Sequence, residues 1–382
     1  MKICFVLSTV NKAGGANRSL FELLKMLQKN GHECFVLMNR HGSMEDALKS
    51  VDAEYKLLPF KSSVKADSAL KTLIKKIINI YSKYCIAFYL KRKRIDILHN
   101  NSLPTAIGME AAYKAQVPYI CHIRENIWDG LGMEFYHPSR IKNMIRSASE
   151  VIVISDYVKR VYQDFVPDAS FALVPDSVDA ENYYEKKTIL ENQCTNLLIV
   201  GIINPQKGQK DIIKAIEILN ENRPGDFYLR IVGRDGYWNG NKDYASSLHR
   251  YVEEHCLNNV EFVGELEDHT KLREIRKQSD ICVVCSRAEG LGRTTIESMI
   301  SGNLTIAANA GASPEIIKDK VTGLLYEPGN AVELADQIAF AVEHRNEMRK
   351  IADKGQSYAV EEFDQKIYVK KMIEIYERLL NI

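Results

Sequence analysis

The sequence lacks the long apolar segments of a membrane-spanning protein. No run approaches the roughly 18–20 apolar residues that a membrane helix needs. The opening MKICFVLSTVNK is too short for an export signal and has no small-residue cleavage site, so it predicts a first buried strand. The net charge is only +1 over 382 residues, although the first 185 residues are basic and the rest acidic. We therefore expect a soluble, cytoplasmic chain with two domains.

Signatures of cofactor, metal or redox chemistry are also missing or weak. The segment STVNKAGGANRS after the first strand lacks G-x-G-x-x-G spacing, which disfavours a dinucleotide-dependent dehydrogenase. The eight cysteines are scattered and most lie in apolar runs, as reduced cytoplasmic thiols do. Cys282 and Cys285 have CxxC spacing, but a strand turns residues three apart to opposite faces. We expect both of them in the core.

The sequence does contain a regular alternation of short Val- and Ile-rich strands with helix-length amphipathic segments. One series runs from KICFVLS to EVIVIS, and a second runs from NLLIVG to TGLLYEP. This predicts an α/β protein with two doubly wound, parallel-sheet, Rossmann-like domains that face each other across a cleft. In such sheets, ligands bind at the carboxyl ends of the strands. We place the linker near 176–195 and the domains at 1–180 and 181–362, with a last helix at 363–382 that packs back on the first domain.

The stretch SRAEGLGRTTIESMISG, residues 286–302, is the clearest candidate for a ligand site. It follows the predicted strand DICVVCS and leads into a helix predicted to begin near Thr294. Gly290 and Gly292 allow the backbone to approach a ligand closely, and the helix N-terminus beyond them presents unpaired N–H groups with partial positive charge. This arrangement indicates a phosphate site at the mouth of the cleft.

Two carboxylates flank that glycine turn. Thr294 and Glu297 have the spacing of a capping box, in which Glu297, as the third helical residue, folds back on the N-cap. By spacing alone this structural interpretation is the leading one. Glu289 lies in the loop ahead of the helix, where no structural task accounts for a carboxylate.

Six groups of motifs occur in a characteristic order along the chain. They are STVNKAGGANRSL; YICHIRE, with a histidine; VIVISDYVKR; GIINPQKGQKDIIKAI at 201–216, similar to G-R-L-x-P-x-K-G; an E-x7-E pattern at Glu289 and Glu297; and NAGASPEII with TGLLYEPGN. In this order they resemble the family-4 glycosyltransferases, also called glycosyl transferases of group 1. The resemblance covers nearly the whole chain and implies the GT-B architecture.

The resemblance further implies a retaining transfer of a sugar from a nucleoside diphosphate donor, UDP- or GDP-linked, to an acceptor hydroxyl, without another cofactor. At the matched positions, Lys207 contacts the donor diphosphate, Glu297 the ribose hydroxyls and Glu289 the transferred sugar. The base is implied to lie against VGRDG (232–236) and VGELED (263–268). The other implied donor contacts are Gly14, Gly15, Gly233, Gly290, Leu291, Gly292, Arg293 and Thr294.

His122 is implied to lie beside the sugar and the reacting centre, which makes His122, Glu289 and Lys207 the candidate catalytic residues. The expected acceptor surface of the first domain includes Asn100, Asn101 and the segment from Arg124 to Asn126. From the residues alone, a core histidine and an exposed lysine at a helix start are the ordinary interpretations of His122 and Lys207. Both alternatives stay open at this point.

The sequence contains no Asp-x-Asp, the motif with which many glycosyltransferases of other folds hold a divalent metal. We therefore predict metal-independent transfer. Two positions depart from the family pattern: Ile202 stands where arginine is frequent, and Asp176-Ser177 stands where Asn-Gly is usual. One hypothesis is that Arg293 or Arg18 supplies the cation that is missing at Ile202.

The basic charge of the first half is concentrated in residues 61–94, which hold ten Lys and Arg against one Asp. Apolar side chains recur there at helical spacing and predict an amphipathic helix; they are Leu70, Leu73, Ile74, Ile77, Tyr81, Tyr84 and Phe88. The helix suits an anionic membrane surface, or it packs its apolar stripe on the sheet and turns its lysines to solvent. No recognition motif accompanies the charge, so nucleic acid is not an expected partner.

The sequence thus predicts a retaining glycosyltransferase that uses a nucleotide sugar and a glycan or lipid-linked acceptor. The expected setting is bacterial capsule, lipopolysaccharide or glycolipid synthesis, peripherally at the inner face of the membrane. Two other classes stay open. One is a non-catalytic partner subunit of another transferase, for which Ile202 is the only hint, and the other is a nucleotide-sugar epimerase or sugar phosphorylase on a similar scaffold.

Overall fold

The computed structural model describes residues 1–12, 14–236, 243–266 and 269–381. The chain forms two compact units. Unit 1 comprises Met1–Ser177 and Gln365–Ile382, and unit 2 comprises Val178–Asp364. The chain therefore passes from one unit to the other after Ser177 and again after Asp364, within three residues of the sequence-based boundaries.

Unit 1 is built on a seven-stranded sheet whose strand pairs are all parallel, in the order β3-β2-β1-β4-β5-β6-β7. Its strands read as nearly continuous apolar runs because helices cover both faces of the sheet. The strands are β1 (Lys2–Leu7), β2 (Glu33–Met38), β3 (Glu54–Leu57), β4 (Ile97–Asn101), β5 (Tyr119–Ile123), β6 (Glu150–Val153) and β7 (Ala172–Leu173). The helices are α1 (Gly15–Lys29), α2 (Met44–Ser50), α3 (Ala69–Lys93), α4 (Ile107–Ala115), α5 (Pro138–Arg146) and α6 (Asp156–Phe165).

Unit 2 has a six-stranded sheet of the same kind, in the order β10-β9-β8-β11-β12-β13, again with parallel pairs throughout. The strands are β8 (Thr195–Val200), β9 (Phe227–Val232), β10 (Val260–Gly264), β11 (Ile281–Val284), β12 (Leu304–Ala308) and β13 (Leu324–Tyr326). The helices are α7 (Ala180–Tyr183), α8 (Gln209–Asn222), α9 (Asp243–Glu254), α10 (His269–Gln278), α11 (Arg293–Ile300), α12 (Ser313–Ile316), α13 (Ala331–Glu343) and α14 (Arg345–Glu362). A 3₁₀ turn, Pro205–Lys207, precedes α8.

The last helix, α15 (Gln365–Leu380), belongs to unit 1. Its buried side chains recur at helical spacing and join the core formed by β1, β2 and α1. They are Tyr368, Val369, Met372, Ile375 and Tyr376. Because two of these are tyrosines, the helix brings hydroxyl groups into the interior of unit 1.

The predicted α/β class with two Rossmann-like, doubly wound parallel sheets is confirmed. In each sheet the strand order reverses once, between β1 and β4 in unit 1 and between β8 and β11 in unit 2. Such a switch point is where open parallel sheets place their ligands. The predicted core packing of Cys282 and Cys285 is confirmed too, since both thiols are free and buried in hydrophobic clusters on different faces of the sheet.

Helix α3 contradicts the interpretation in which its apolar stripe packs on the sheet. The seven apolar side chains of that stripe, together with Ile80, are between 48% and 68% exposed. The buried face consists instead of Asn79, Ser82, Ile86, Ala87 and Leu90. Asn79 and Ser82 are held by hydrogen bonds to Lys61, Tyr136 and Pro59, so polar contacts rather than apolar burial anchor the first half of the helix.

No helix within the described ranges combines the length and the apolar composition that crossing a bilayer requires. Helix α3 is 25 residues long, but basic residues interrupt its apolar sequence.

A glycine at the start of α8 fixes how the turn after β8 packs. Gly208 has φ of +66°, and a Cβ there would lie 2.4 Å from the carbonyl oxygen of Cys285. Only glycine fits both the left-handed conformation and this close approach to the end of β11. The loops that follow β8 and β11 are thereby held against each other.

We predict that Gly208→Ala destabilises the protein more than Gly225→Ala. Gly225 also has positive φ, +86°, but nothing lies within 4 Å of its Cβ position, so its substitution adds only backbone strain of about 1 kcal/mol. Gly208→Ala adds a backbone clash worth about 1–3 kcal/mol more. Urea unfolding of both variants measures the difference, and equal losses would contradict the close approach.

Candidate active site

The candidate catalytic pair of unit 2 lies at its switch point. Lys207 ends the 3₁₀ turn after β8, and Glu289 lies in the loop after the neighbouring strand β11. The Lys207 Nζ donates a hydrogen bond to Glu289 Oε2 at 2.6 Å. The two side chains remain 32% and 18% exposed, so both carry polar atoms that solvent or a ligand can reach.

The pair is charged at neutral pH. Burial raises the pKa of Glu289, but the positive charge and hydrogen bond of Lys207 outweigh it, and Ser286 adds a further hydrogen bond. The net result is a carboxyl pKa below its ordinary value. An ammonium group also has N–H donors beyond the one used here, so Lys207 can hold Glu289 and still reach an anionic ligand.

Close backbone approaches fix the loops around this pair. A Cβ at Gly311 would lie 2.6 Å from the backbone nitrogen of Glu289, and the Ala312 N–H donates to the Glu289 carbonyl at 3.0 Å. At the end of β9, a Cβ at Gly233 would lie 1.9 Å from the Gly201 carbonyl oxygen. Gly233 thus lies against the residue that follows β8, at the same edge of the sheet as Lys207.

Helix α11 begins one residue before the predicted start, and this overturns the capping-box interpretation. Its N-cap is Gly292, with φ of +99°, and no side chain caps it. Thr294 is then the second helical residue rather than the N-cap, and Glu297 is the fifth rather than the third. Because glycine supplies the left-handed turn, the backbone from Gly290 through Leu291 to Thr294 leads directly into a helix N-terminus beside Glu289.

Glu297 is instead half of a buried ion pair. Its Oε2 accepts a hydrogen bond from Arg276 Nη2 at 2.6 Å, and both side chains are 2% exposed. A second guanidinium, that of Arg293, lies 3.8 Å from Glu297 Oε1. The Glu297 carboxylate thus has a guanidinium group near each of its two oxygens.

Sequence reasoning missed Arg276, although the sequence carries a signal for it. Leu272, Ile275, Arg276 and Ser279 follow the i, i+3, i+4, i+7 pattern of one helix face. An arginine within an apolar stripe indicates a buried acidic partner, because an unpaired guanidinium is costly to bury. Pattern alone could not identify that partner as Glu297.

The departure at Ile202 leaves an apolar side chain, 38% exposed, where the family pattern has a cation. Of the two proposed substitutes, Arg293 lies within unit 2, on the first turn of α11 beside Glu297. Arg18 lies on the first turn of α1 in unit 1, where its backbone N–H donates to the Gly14 carbonyl at 3.0 Å. Neither substitution hypothesis is decided by these positions, and both stay predictions.

In unit 1, Gly14 and Gly15 form the exposed N-terminus of α1, just after the switch-point strand β1. No side chain caps this 15-residue helix. The buried Asn17 side chain shapes the preceding loop by donating to the carbonyls of Thr9 at 3.0 Å and Asn11 at 2.8 Å. The Gly14 N–H donates to the Asn11 carbonyl at 3.3 Å, and the predicted contact of Gly14 and Gly15 with the donor stays a prediction.

His122, on β5, is completely buried in a polar cluster. Its Nδ1 lies 3.0 Å from His99 Nε2 and 3.3 Å from Arg124 Nη2. Burial, followed by the charge of Arg124, lowers the pKa of both histidines well below the ordinary value, so both rings are neutral. Among the described residues, His122 Nε2 has no hydrogen-bond partner.

The predicted acceptor residues are buried and engaged inside unit 1. Arg124 forms an ion pair with Asp176, and its Nε donates to Asn101 Oδ1 at 2.8 Å. Asn126 donates to the Tyr157 hydroxyl at 2.7 Å, and Asn100 donates to a backbone carbonyl. As acceptor contacts these residues stay predictions. The pairing with Arg124 accounts for Asp176 at one of the two positions that depart from the family pattern.

Glu125, between Arg124 and Asn126, has a perturbed carboxyl group. Burial raises its pKa to about 7, even though the Ser102 hydroxyl and the Leu103 N–H donate to its Oε1 at 2.8 and 2.9 Å. Ser102 itself has φ of +97°, which is unusual for a residue other than glycine. Glu125 is thus a second titratable residue, besides His122, at the carboxyl edge of β5.

Two further predictions are limited by what the structure describes. The segment VGRDG is described throughout, but Glu267 and Asp268 of VGELED lie outside the described residues. Within the described ranges, no group of three or more His, Cys, Asp or Glu side chains is arranged to hold a metal ion.

Two protein-family models match adjoining parts of the chain. Residues 13–182 match Glycosyltransferase Family 4, and residues 182–358 match Glycosyl transferases group 1. Together the two models cover both units, with the meeting point close to the boundary after Ser177.

Individual relatives agree with the two models. An uncharacterized glycosyltransferase of Methanocaldococcus jannaschii is 24% identical over 303 residues, covering 77% of this chain and 70% of that protein. Phosphatidyl-myo-inositol mannosyltransferase of Mycobacterium tuberculosis is 21% identical over 388 residues, covering 95% of this chain and 93% of that protein. The Anabaena protein HepE, solved in complex with UDP-glucose, has a TM-score of 0.80 at 21% identity, covering 99% of this chain and 100% of that one. The fold is thus that of the GT-B glycosyltransferases.

We predict that Arg276→Met destabilises the protein by about 3 kcal/mol, because it leaves the Glu297 carboxylate buried without its principal partner. The double variant Arg276→Met with Glu297→Gln recovers most of the loss, since the carboxylate that had lost Arg276 is then no longer charged. Chemical unfolding of the two single variants and the double variant gives the coupling energy. Additive losses in the double variant would show that the two side chains do not act as a pair.

Proposed function

Since the chain belongs to the family-4 glycosyltransferases, we propose that it is a retaining enzyme that transfers a hexose from a UDP- or GDP-sugar to an acceptor hydroxyl. The proposed acceptor is a glycan or a lipid-linked glycan of a bacterial surface polysaccharide or glycolipid. Transfer proceeds without a metal ion or other cofactor. The complex of HepE with UDP-glucose and the lipid named in the mycobacterial relative support the donor and acceptor classes.

The observation that carries the proposal is the 2.6 Å contact between Lys207 and Glu289 at the switch point of unit 2, beside the N-terminus of α11. A nucleotide sugar has an anionic diphosphate next to a neutral, hydroxyl-rich ring. Lys207 and the helix N-terminus suit the diphosphate, whereas the Glu289 carboxylate suits sugar hydroxyls as a hydrogen-bond acceptor. The hydrogen bond between Lys207 and Glu289 holds both side chains in place before a ligand binds.

This arrangement also suits the chemistry of transfer. Breaking the anomeric C–O bond puts negative charge on the departing diphosphate and positive character on the sugar ring. Lys207 neutralises the first charge, and the N-terminus of α11 adds partial positive charge beside it. A preorganised donor of this kind contributes on the order of 3 kcal/mol to lowering the barrier.

Two carboxylates in one motif do not make a glycosidase here. Hydrolysis by a carboxylate pair needs both groups on opposite sides of one glycosidic bond. Glu297 is 1% exposed and engaged by Arg276, so it is not an open partner for Glu289. The family resemblance implies a contact of Glu297 with the donor ribose, and this contact stays a prediction.

We expect Lys207→Ala and Glu289→Ala each to lower kcat at least about 100-fold in a nucleotide-release assay with a panel of nucleotide sugars and a membrane extract as acceptor source. Lys210→Ala is the matched control, because this exposed lysine lies on the first turn of α8 but has no site contact. It leaves turnover unchanged. The donor that supports turnover identifies the sugar.

Four outcomes would contradict parts of the proposal. Donor binding without turnover in the native chain would favour the non-catalytic partner subunit, and a change of sugar configuration without transfer would favour an epimerase. Loss of activity in chelator that manganese restores would overturn metal independence. Unchanged donor affinity in both Arg293→Ala and Arg18→Ala would remove the hypothesis that either arginine replaces the cation missing at Ile202.

We also propose that α3 binds an anionic membrane surface. The apolar stripe from Leu70 to Phe88 is exposed in unit 1, and the exposed or half-exposed side chains of Lys71, Lys83 and Lys91 border it. Basic side chains attract anionic headgroups, and apolar side chains enter the interface between headgroups and acyl chains. This location would suit a lipid-linked acceptor.

We predict that the native chain sediments with vesicles of anionic phospholipid and that added salt weakens the binding. Leu70→Ser with Phe88→Ser reduces sedimentation, since it removes two of the most exposed apolar side chains of α3. Val332→Ser, which removes a comparably exposed apolar side chain of unit 2, leaves it unchanged. Sedimentation that depends on neither anionic lipid nor salt would remove this surface from the proposal.

A further inference from the structure

The direction of the hydrogen bonds around His122 can be deduced from the chemistry of Arg124. A guanidinium group only donates hydrogen bonds. Arg124 Nη2 lies 3.3 Å from His122 Nδ1, so that nitrogen must be the unprotonated acceptor of the neutral ring. The proton of His122 therefore resides on Nε2.

The same reasoning extends to the neighbouring ring. His99 Nε2 is 3.0 Å from His122 Nδ1, which accepts, so His99 Nε2 must carry a proton and donate it. His99 Nδ1 is then an acceptor, and the Tyr376 hydroxyl, 2.7 Å away, is its donor. The hydrogen bonds all point one way, from Tyr376 through His99 to His122.

The surrounding residues favour this direction of the hydrogen bonds. Both rings and the Tyr376 side chain are completely buried, so water cannot supply an alternative partner at low cost. Arg124 forms an ion pair with Asp176, and the Arg124 Nε donates a hydrogen bond to Asn101 Oδ1. These two contacts fix the guanidinium group. If the hydrogen bonds ran in the opposite direction, His122 Nδ1 would carry a proton that points toward that cation.

We propose that Tyr376 and His99 are positioning residues that hold His122 in the tautomer with its proton on Nε2, which offers a hydrogen-bond donor to a ligand oxygen. Nε2 is the buried His122 nitrogen that has no partner in the described part of the chain. An unsatisfied buried donor is unfavourable, so a ligand oxygen that reaches it gains a hydrogen bond at little cost. The inference rests on the proposed function only in taking that oxygen to belong to the donor sugar.

This assigns His122 a role other than proton transfer. A general base needs an unprotonated nitrogen that faces the substrate, whereas the unprotonated nitrogen of His122 faces His99 and Arg124. The last helix, α15, becomes part of the site because it supplies the Tyr376 hydroxyl.

Long-range ¹H–¹⁵N spectra of the ligand-free, ¹⁵N-histidine-labelled full chain test the proposal, since they distinguish protonated from unprotonated ring nitrogens. His122→Gln and His99→Gln assign the signals. In the native chain we expect Nε2 protonated and Nδ1 unprotonated in both rings. A proton on His122 Nδ1 would overturn the proposal. This spectroscopic result does not depend on any transferase activity.

Two variants of α15 separate the proposed role from general packing. Tyr376→Phe removes the hydroxyl that donates to His99. We therefore expect a larger Nδ1-protonated fraction in His99, and a smaller one in His122, whose Nδ1 still accepts from Arg124. Tyr368→Phe removes an equally buried hydroxyl that accepts from Arg124 at 3.1 Å, and it retains the native histidine spectrum. Unchanged His99 and His122 signals in Tyr376→Phe would contradict the positioning role.

Steady-state kinetics provide a second test once the nucleotide-sugar donor is known. Tyr376→Phe lowers kcat roughly 10-fold with little change in the donor KM, as expected for one hydrogen bond that strengthens in the transition state. Equal losses in Tyr376→Phe and Tyr368→Phe would reduce the effect to packing. If the native chain has no transferase activity, the proposed function fails, while the spectra still decide the tautomer.

Discussion

In a parallel sheet all strands end at the same edge, and the chemistry of this protein depends on that constraint. Lys207 and Glu289 are 82 residues apart in sequence, yet the loops after two adjacent strands place their side chains 2.6 Å apart. In unit 1 the same constraint places His99 on β4 and His122 on the neighbouring strand β5. In each unit, polar residues thus lie on neighbouring strands or in the loops that follow them, and apolar residues of the strands form the core.

Buried ion pairs are the second organising feature of the described residues. The Arg276 and Glu297 side chains pair inside unit 2, and the Arg124 and Asp176 side chains pair inside unit 1. Such pairs contribute little net stability, because desolvation of both charges offsets their attraction. Their value is geometric, since a guanidinium held by a carboxylate presents its remaining N–H groups in fixed directions. The ion pair with Asp176 holds Arg124 where its Nη2 contacts His122 Nδ1.

The sequence was sufficient for the architecture and for the location of the candidate site, because both follow from local patterns. Alternating strands and helices predict parallel sheets, and glycines beside polar residues after a strand predict a site at the sheet edge. It was insufficient where a residue's role depends on a partner far along the chain. The capping-box interpretation of Glu297 used only the nearest residues, and it was wrong because Gly292 starts the helix earlier and Arg276 holds the carboxylate. The α3 stripe had the right periodicity but the wrong burial, since Asn79 and Ser82 make the hydrogen bonds that anchor the helix.

The bond between Tyr376 and His99 shows how far such dependence can extend, because the two residues are 277 positions apart. The chain leaves unit 1 after Ser177 and returns only with α15, so the polar cluster around His122 is incomplete until the last helix packs. Without α15, His99 Nδ1 would lose its hydroxyl donor, and the preference of the two rings for the proton on Nε2 would weaken. The return of the chain to unit 1 thus does more than cover an apolar face. It supplies the hydroxyl that gives the buried histidines a single hydrogen-bonding direction, which links the folding of the C-terminal helix to the chemistry of the site.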